Sequence, residues 1–323
     1  MIWLFLILLL ISVAVCLYCF YTCFYASNKK QRDPYGLLHG SQYQEVKESI
    51  YECTRRMEAV PFEAVAISSY DGLKLYGRYY HLQDGAPVKI IFHGYRSIAL
   101  RDSAGGFGLA RKLGMNVLAV DQRAHGKSEG HVISFGIRER YDCLAWVQYI
   151  NTRFGNETPI ILSGLSMGAA TVIMAVSTQL PSNVACILAD CPYSSPKEII
   201  CKVCKDQHFP VAIAYPFIRM AARYLGEFHL EEMSAVTAAQ QSKIPILLLH
   251  GEDDRFVPCD MSRQIHAHSD GHTQLATFPY AGHGLSYMID PVRYEKVVID
   301  FLKTIPALKE LSGLVNPEQT ASK

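Results

Sequence analysis

Three residue types that together turn a hydroxyl into a nucleophile occur in one order along this chain. Ser166 sits in Gly164-Leu-Ser-Met-Gly168, a Gly-x-Ser-x-Gly run. Downstream, Ile244-Pro-Ile-Leu-Leu-Leu-His-Gly-Glu-Asp-Asp254 passes from an apolar stretch into an acidic loop, and Gly282-His283-Gly284 follows a second apolar stretch. A serine hydroxyl attacks a carbonyl when a base takes its proton, and an imidazole is that base when a carboxylate orients it. Serine, then acid, then histidine is the chain order of one known triad arrangement. The acidic loop offers two adjacent carboxylates, Asp253 and Asp254, and both are candidates. The tetrahedral intermediate of such an attack needs backbone N–H donors, and the residue after the serine, Met167, supplies one.

The motif alone is short, and a glycine-rich turn with a capping serine uses the same residues. Its surroundings favour the chemical reading. Pro159 to Leu162 suits a buried parallel strand, and Ala169 to Val176 suits a helix whose small residues pack closely on a sheet. Further strands are predicted near 88–92, 116–120, 184–190, 244–250 and 274–278, after a hairpin of Ala64–Ser69 and Leu73–Tyr80 around Tyr-Asp-Gly. Helices fall near 103–113, 134–153, 167–179, 259–268 and 291–303. Such alternation predicts an α/β fold: a mostly parallel eight-stranded sheet with helices on both faces. The acidic loop and His283 then both follow the carboxyl ends of strands, where open parallel sheets place their sites.

Five stretches in this order carry a family resemblance: Phe92-His-Gly-Tyr95, Asp121-Gln-Arg-Ala-His-Gly-Lys-Ser128, Gly164-Leu-Ser-Met-Gly168, His250-Gly-Glu-Asp-Asp254 and Gly282-His-Gly284. Over roughly residues 62–305 the chain resembles the α/β-hydrolase superfamily, among its serine-aminopeptidase-like and monoacylglycerol-lipase-like members. The resemblance implies an α/β-hydrolase fold and makes Ser166 the nucleophile and His283 the base. It makes Asp254, the last residue of His-Gly-x-x-Asp, the acid, with Asp253 second. It adds Tyr95, next to Gly94, as the other oxyanion donor beside Met167. Haloalkane dehalogenase and epoxide hydrolase chemistry is disfavoured, because those relatives carry Asp where this chain has Ser166. The turn around Asp121, Arg123 and His125 is read as structural.

About fifty residues separate the strand ending at Asp190 from the one starting at Ile244, far beyond an ordinary connection. Relatives place a helical lid there, here at about 191–243. The stretch from His208 to Leu225 is apolar and aromatic; it suits an acyl-binding roof, and equally a helix packed on the sheet. The implied chemistry is acyl transfer to water by serine, histidine and acid, which requires no metal or organic cofactor. A small-molecule or lipid-like acyl ester is the preferred substrate. A peptidase or thioesterase has the same triad, since the pocket decides. A peptidase needs an acid for the substrate amine, for which Glu231 and Glu232 are candidates, and Arg96 is a candidate for a substrate carboxylate. A tethered binding scaffold without chemistry is the third reading; its usual mark, a missing triad member, is absent.

The net charge is +1 over 323 residues, and no basic patch or nucleic-acid reader motif appears, which argues against a nucleic-acid partner. Residues 2–26 contain no charge. As a helix they span about 37 Å, enough for a bilayer core, with Trp3 at one end and Tyr18, Tyr21 and Tyr25 toward the other. A cleaved signal peptide fits less well: no Lys or Arg precedes the run, it is long, and no cleavage site ends it. We read 1–26 as a single-pass anchor, 27–61 as a juxtamembrane segment with a helix around Glu45–Val60, and 306–323 as a tail. Lys29, Lys30 and Arg32 after the span place the domain on the cytoplasmic side. The ten cysteines show no disulfide framework, and Cys201 and Cys204 are read as helix cysteines rather than a metal pair. His266, His268 and His272 are read as a helix C-terminus rather than a zinc site. His250 is expected to pack beside the acid loop.

Overall fold

The computed structural model describes residues 2–26, 33–36, 40–309 and 311. The uncharged amino-terminal run forms one helix of 22 residues, α1 (Ile2–Cys23), long and apolar enough to cross a bilayer. Its first half is exposed on all sides. Two short helices follow, α2 (Ser41–Glu45) and α3 (Lys47–Glu58), so the helix expected from Glu45 starts earlier and breaks at Val46. Residues 27–32 and 37–39 of the juxtamembrane stretch lie outside the described residues.

The hairpin forms as predicted: β1 (Glu63–Ser68) pairs antiparallel with β2 (Lys74–Tyr80), closed by Ser69 and by Gly72 at φ 85°. Alternating elements follow: β3 (Val88–Phe92), α4 (Ala99–Lys112), β4 (Asn116–Asp121), α5 (Glu139–Phe154), β5 (Ile160–Leu165), α6 (Met167–Met174) and β6 (Val184–Asp190). The long connection holds α7 (Pro196–Asp206), α8 (Val211–Tyr224) and α9 (Ala235–Gln241). Then come β7 (Ile246–Gly251), α10 (Asp260–Ala267), β8 (Thr273–Phe278), α11 (Ser286–Ile289) and α12 (Pro291–Lys303). The eight strands lie in the order β1-β2-β4-β3-β5-β6-β7-β8, parallel from β4 onward. Two predicted helices are trimmed. α5 starts at Glu139 because that carboxylate accepts N–H bonds from Ser134 and Gly136, holding 134–138 as a turn. α6 gives way to a tighter 3₁₀ turn at Ala175–Thr178. Of the tail, Pro306–Leu308 forms one 3₁₀ turn, and residues 310 and 312–323 lie outside the described set.

The alternation of strand side chains builds two cores. Ile90, Phe92, Leu118, Val120, Ile160 and Leu162 face α5, α6 and α9. Ile91, Val117, Ala119, Ile161, Leu247 and Leu249 face α4 and α12. Each buried aliphatic or aromatic side chain contributes roughly 1.5–3 kcal/mol, so the central strands form a rigid shelf whose carboxyl ends can hold side chains in fixed positions. Polar residues fix the turn after β4. Arg123 reaches both oxygens of Asp142 at 2.6 Å and those of Asp71 at 2.8 and 3.1 Å, while Ser128 donates to the Asp121 carbonyl.

Candidate active site

Ser166 stands between β5 and α6 at φ 55° and ψ −115°, a left-handed conformation that costs an L-residue energy and lifts its side chain off the sheet edge. Two glycines make the turn feasible. A Cβ on Gly164 would sit 2.2 Å from the Gly168 carbonyl carbon, and one on Gly168 would sit 2.1 Å from the Phe92 oxygen. The turn is thus clamped by backbone on both sides. Ser166 N–H donates to the Asp190 carbonyl at 2.8 Å, tying the elbow to β6.

His283 follows β8, and its Nε2 lies 2.9 Å from Ser166 Oγ. Its Nδ1 lies 2.7 Å from Asp254 Oδ2. The other oxygen of Asp254 accepts the N–H groups of Phe256 and Val257 at 2.9 and 2.8 Å. Of the two adjacent acids it is Asp254 that meets His283; the Asp253 N–H donates to the Ala281 carbonyl. Burial alone would raise the Asp254 pKa. The facing His283 and bonding from His250 and His283 reverse this and hold it well below the usual carboxylate range. His250 is fully buried beside the acid loop as expected, bonded to Ser262 Oγ and the Val257 carbonyl and 3.4 Å from Asp254.

The loop after β3 lies against the serine, since a Cβ on Gly94 would meet Ser166 Cβ at 3.5 Å. The peptides before and after the Gly94–Tyr95 peptide are pinned. Gly94 N–H donates to Asp102 Oδ2 at 2.8 Å, and Arg96 N–H donates to His125 Nε2 at 3.0 Å, with Arg96 at φ 50°. His93 anchors the strand end, accepting the Gln122 N–H at 3.1 Å, and burial lowers its pKa. On the other side of the serine, Met167 is the first residue of α6, where backbone N–H groups have no intrahelical acceptor.

A cavity of about 670 Å³ opens at Ser166 and His283. Its walls come from Tyr43, the donor loop, α4, Phe256 and α11; among the described residues, α7 to α9 contribute none of them. The insertion instead packs on α6 and along α1, the packing alternative for this stretch. The cavity floor is polar, which the sequence reading missed. Lys89 lies buried in the centre of β3, bonded to the Gly106 carbonyl at 3.3 Å, and burial lowers its pKa to about 8. Ser103 Oγ is buried without a hydrogen-bond partner among the described residues. Burial raises the Asp190 pKa to about 6, against His250 and a hydrogen bond from Tyr294. A charge inside the run Val88-Lys-Ile-Ile-Phe was the available signal. Nothing local marked Asp102 or His125 as loop supports.

The other candidates are engaged elsewhere. Arg96 is neither free for a substrate nor turned to solvent: its guanidinium donates to the carbonyls of Tyr21, Thr22 and Tyr25 at 3.4, 2.8 and 3.1 Å. Glu231 pairs with Arg219 at 3.1 Å and accepts from Tyr215, and Glu232 pairs with Arg140. His266 bonds Thr273 Oγ1 and His268 the Gln264 carbonyl, at the end of α10. Cys201 and Cys204 lie on α7.

This sheet, with a strained serine between strand and helix, is the α/β-hydrolase fold. Within it, residues 87–215 match the family model described as serine aminopeptidase, S33. The uncharacterized protein YqkD of Bacillus subtilis is 25% identical over 254 residues, which are 78% of this chain and 82% of that protein. Human protein ABHD12B is 27% identical over 203 residues, 57% of this chain and half of that protein. The Pyrococcus furiosus esterase Pf2001 superposes with a TM-score of 0.62 at 22% identity, over 83% of this chain and 98% of its own. The esterase domain of a Rhodothermus marinus protein superposes at 0.53 and 16% identity, over 76% of this chain and 99% of its own. At these identities the two superpositions speak for the fold alone.

Proposed function

We propose that this protein is a membrane-tethered serine esterase that cleaves acyl esters through an acyl-enzyme. The observation that carries the reading is the continuous relay from Ser166 Oγ through His283 to Asp254, at 2.9 and 2.7 Å. His283 takes the Ser166 proton as the oxygen attacks the ester carbonyl, and Asp254 steadies the imidazolium that forms. The N–H groups of Tyr95 and Met167 receive the oxyanion. His283 then protonates the departing alcohol, and water, activated by the same imidazole, releases the acid. Ester is favoured over peptide because the acidic residues available for a substrate amine, Glu231 and Glu232, are already paired with arginines.

α1 is the anchor in this reading. α8 lies along it, with Cys16 Sγ 3.9 Å from the Phe217 carbonyl. Ile213, Met220 and Tyr224 form an exposed apolar stripe on α8 that suits a lipid surface. The insertion 191–243 is then a membrane-side cap packed on α6 and α1 rather than a roof over the cavity, and the basic residues after the span favour the cytoplasmic side for the domain. Protease protection in sealed vesicles tests that side.

A fluorophosphonate probe tests the chemistry: the full-length protein is labelled and Ser166→Ala is not. Equal labelling of the two proteins sinks the assignment. Among substrates, p-nitrophenyl esters turn over and aminoacyl amides do not; turnover of amides alone replaces esterase by peptidase.

A further inference from the structure

The end of α1 is built into the catalytic domain rather than tied to it by a loose linker. Phe24, immediately after the helix, is fully buried, with its ring edge-on to Phe135 at 5.9 Å and to Phe228 of the insertion at 5.3 Å. Tyr25 pairs with Val132 in an antiparallel bridge, and its ring stacks on His131. Ala26 N–H donates to the His131 carbonyl and Ile133 N–H to the Phe24 carbonyl, both at 2.8 Å. The partners of the helix end then come from the donor loop itself. The last carbonyls of a helix have no intrahelical donor and carry its negative dipole end. Here the Tyr95 hydroxyl donates to the Cys23 carbonyl at 2.8 Å, and the Arg96 guanidinium caps the Tyr21, Thr22 and Tyr25 carbonyls. These are the side chains of the residue that bears the proposed oxyanion donor and of the next one.

We propose that the last turn of α1 is a positioning element of the active site, acting through Arg96 and Tyr95 to set the direction of the Tyr95 N–H. The inference rests on the esterase reading and extends it. The Gly94–Tyr95 peptide that carries this N–H is held through its carbonyl, which accepts from His93 Nδ1 at 2.8 Å and from the Ser97 N–H at 3.2 Å, while Asp102 and His125 pin the peptides before and after it. The side-chain bonds to α1 hold the far end of this turn, at Tyr95 and Arg96, and so fix where the turn as a whole lies beside Ser166. A donor aimed at the oxyanion acts on the transition state and barely on the bound ester, so loosening it lowers kcat and leaves KM in place. The membrane segment is on this account a part of the catalytic structure, and Arg96 is a positioning residue.

The test uses the full chain in detergent micelles with a short soluble ester. Arg96→Gln is expected to lower kcat about 10- to 100-fold, in the range between a lost support and a lost donor, with KM within twofold. Binding of a trifluoromethyl ketone, which mimics the oxyanion, weakens in parallel with kcat. Arg96→Lys, with one cation but no planar fork, recovers part of the loss. Tyr95→Phe loses less than Arg96→Gln. Replacing residues 2–12 by leucine, which leaves the last turn intact, keeps kcat within twofold. Thermal midpoints are measured for each variant. The proposal is overturned if Arg96→Gln keeps its kcat. It is also overturned if kcat falls only in step with the midpoint while the ketone binds as before, or if the leucine replacement loses as much as Arg96→Gln. A wild-type protein that neither labels nor turns over ester fails the esterase reading and this inference together; a labelled wild type with an unaffected Arg96→Gln fails this inference alone.

Discussion

The two walls of the serine's site are built by opposite means. On the nucleophile side, five consecutive residues do nearly everything. Gly164 and Gly168 admit backbone where no Cβ fits, Ser166 takes the left-handed conformation, and α6 starts at once. On the donor side, one local turn shapes the loop, with the Gly94 carbonyl accepting from Ser97 N–H and His93 Nδ1, and the rest of its support is distant. That distant support comes from Asp102 of α4, His125 of the turn after β4, and the end of α1. A wall made by local strain is encoded in a motif. A wall made by distant partners is encoded nowhere in particular, and can be adjusted by whatever those partners are attached to.

The comparison breaks most sharply on the nucleophile side. Ser166→Ala is expected to lower kcat by roughly 10⁵- to 10⁶-fold, since members of a triad act as one unit. Asp254→Asn leaves the geometry but favours the wrong imidazole tautomer, and is expected to cost about 10⁴-fold. Steady-state hydrolysis of a p-nitrophenyl ester measures both, and losses under tenfold would remove these residues from the chemistry. Gly168→Ala tests the strain argument separately. A methyl 2.1 Å from the Phe92 oxygen has no flexible side chain to displace, so the variant should lose soluble folded protein and not merely activity. Circular dichroism and expression yield decide.

On the donor side the same measurements should give a graded answer. Asp102→Ala removes the acceptor of the Gly94 N–H while leaving Ser166, His283 and Asp254 untouched. Loss of about 10- to 100-fold in kcat is expected, less than a whole donor is worth, with fluorophosphonate labelling retained. If Asp102→Ala is as inactive as Ser166→Ala, the two walls are not separable and the contrast drawn above is wrong.

The same contrast explains what could be read in advance. The positions of the eight strands and their mostly parallel sheet followed from apolar runs and their spacing, because burial on both faces demands such runs; their order and register came only from the structure. Ser166 and His283 were legible as glycine-flanked residues past strand ends. Asp254 was separated from Asp253 by family resemblance; in the structure Asp254 Oδ2 lies 2.7 Å from His283 Nδ1 while its Oδ1 accepts two N–H groups of its own loop. Arg96 was misread, because its partners lie more than seventy residues away in the anchor. The role of the 191–243 insertion was open for the same reason: whether an apolar helix roofs a site or packs on a neighbour depends on α1, not on its own sequence.

The smallest expected effect on rate concerns the floor that both walls share. Lys89 is buried under the site with a pKa lowered to about 8 by burial, against about 10.4 for a free side chain. Both folded and unfolded chains hold this proton below pH 8, so there the burial penalty is constant, about 3 kcal/mol for a shift of this size. Between the two pKa values the unfolded chain binds more protons than the folded one, so stability rises with pH across that window and levels off above it. Lys89→Met fills similar space without the charge. It should raise the thermal midpoint at pH 7 by several degrees, and the gain should shrink as pH is taken from 8 toward 10. Turnover of neutral esters should change by less than a few-fold, because Lys89 touches neither the relay nor the pinned loop. Midpoints of wild type and variant that run parallel from pH 7 to 10 would mean that the buried amine is as well solvated as a free one, and that the cavity floor exerts no electrostatic strain on the shelf above it.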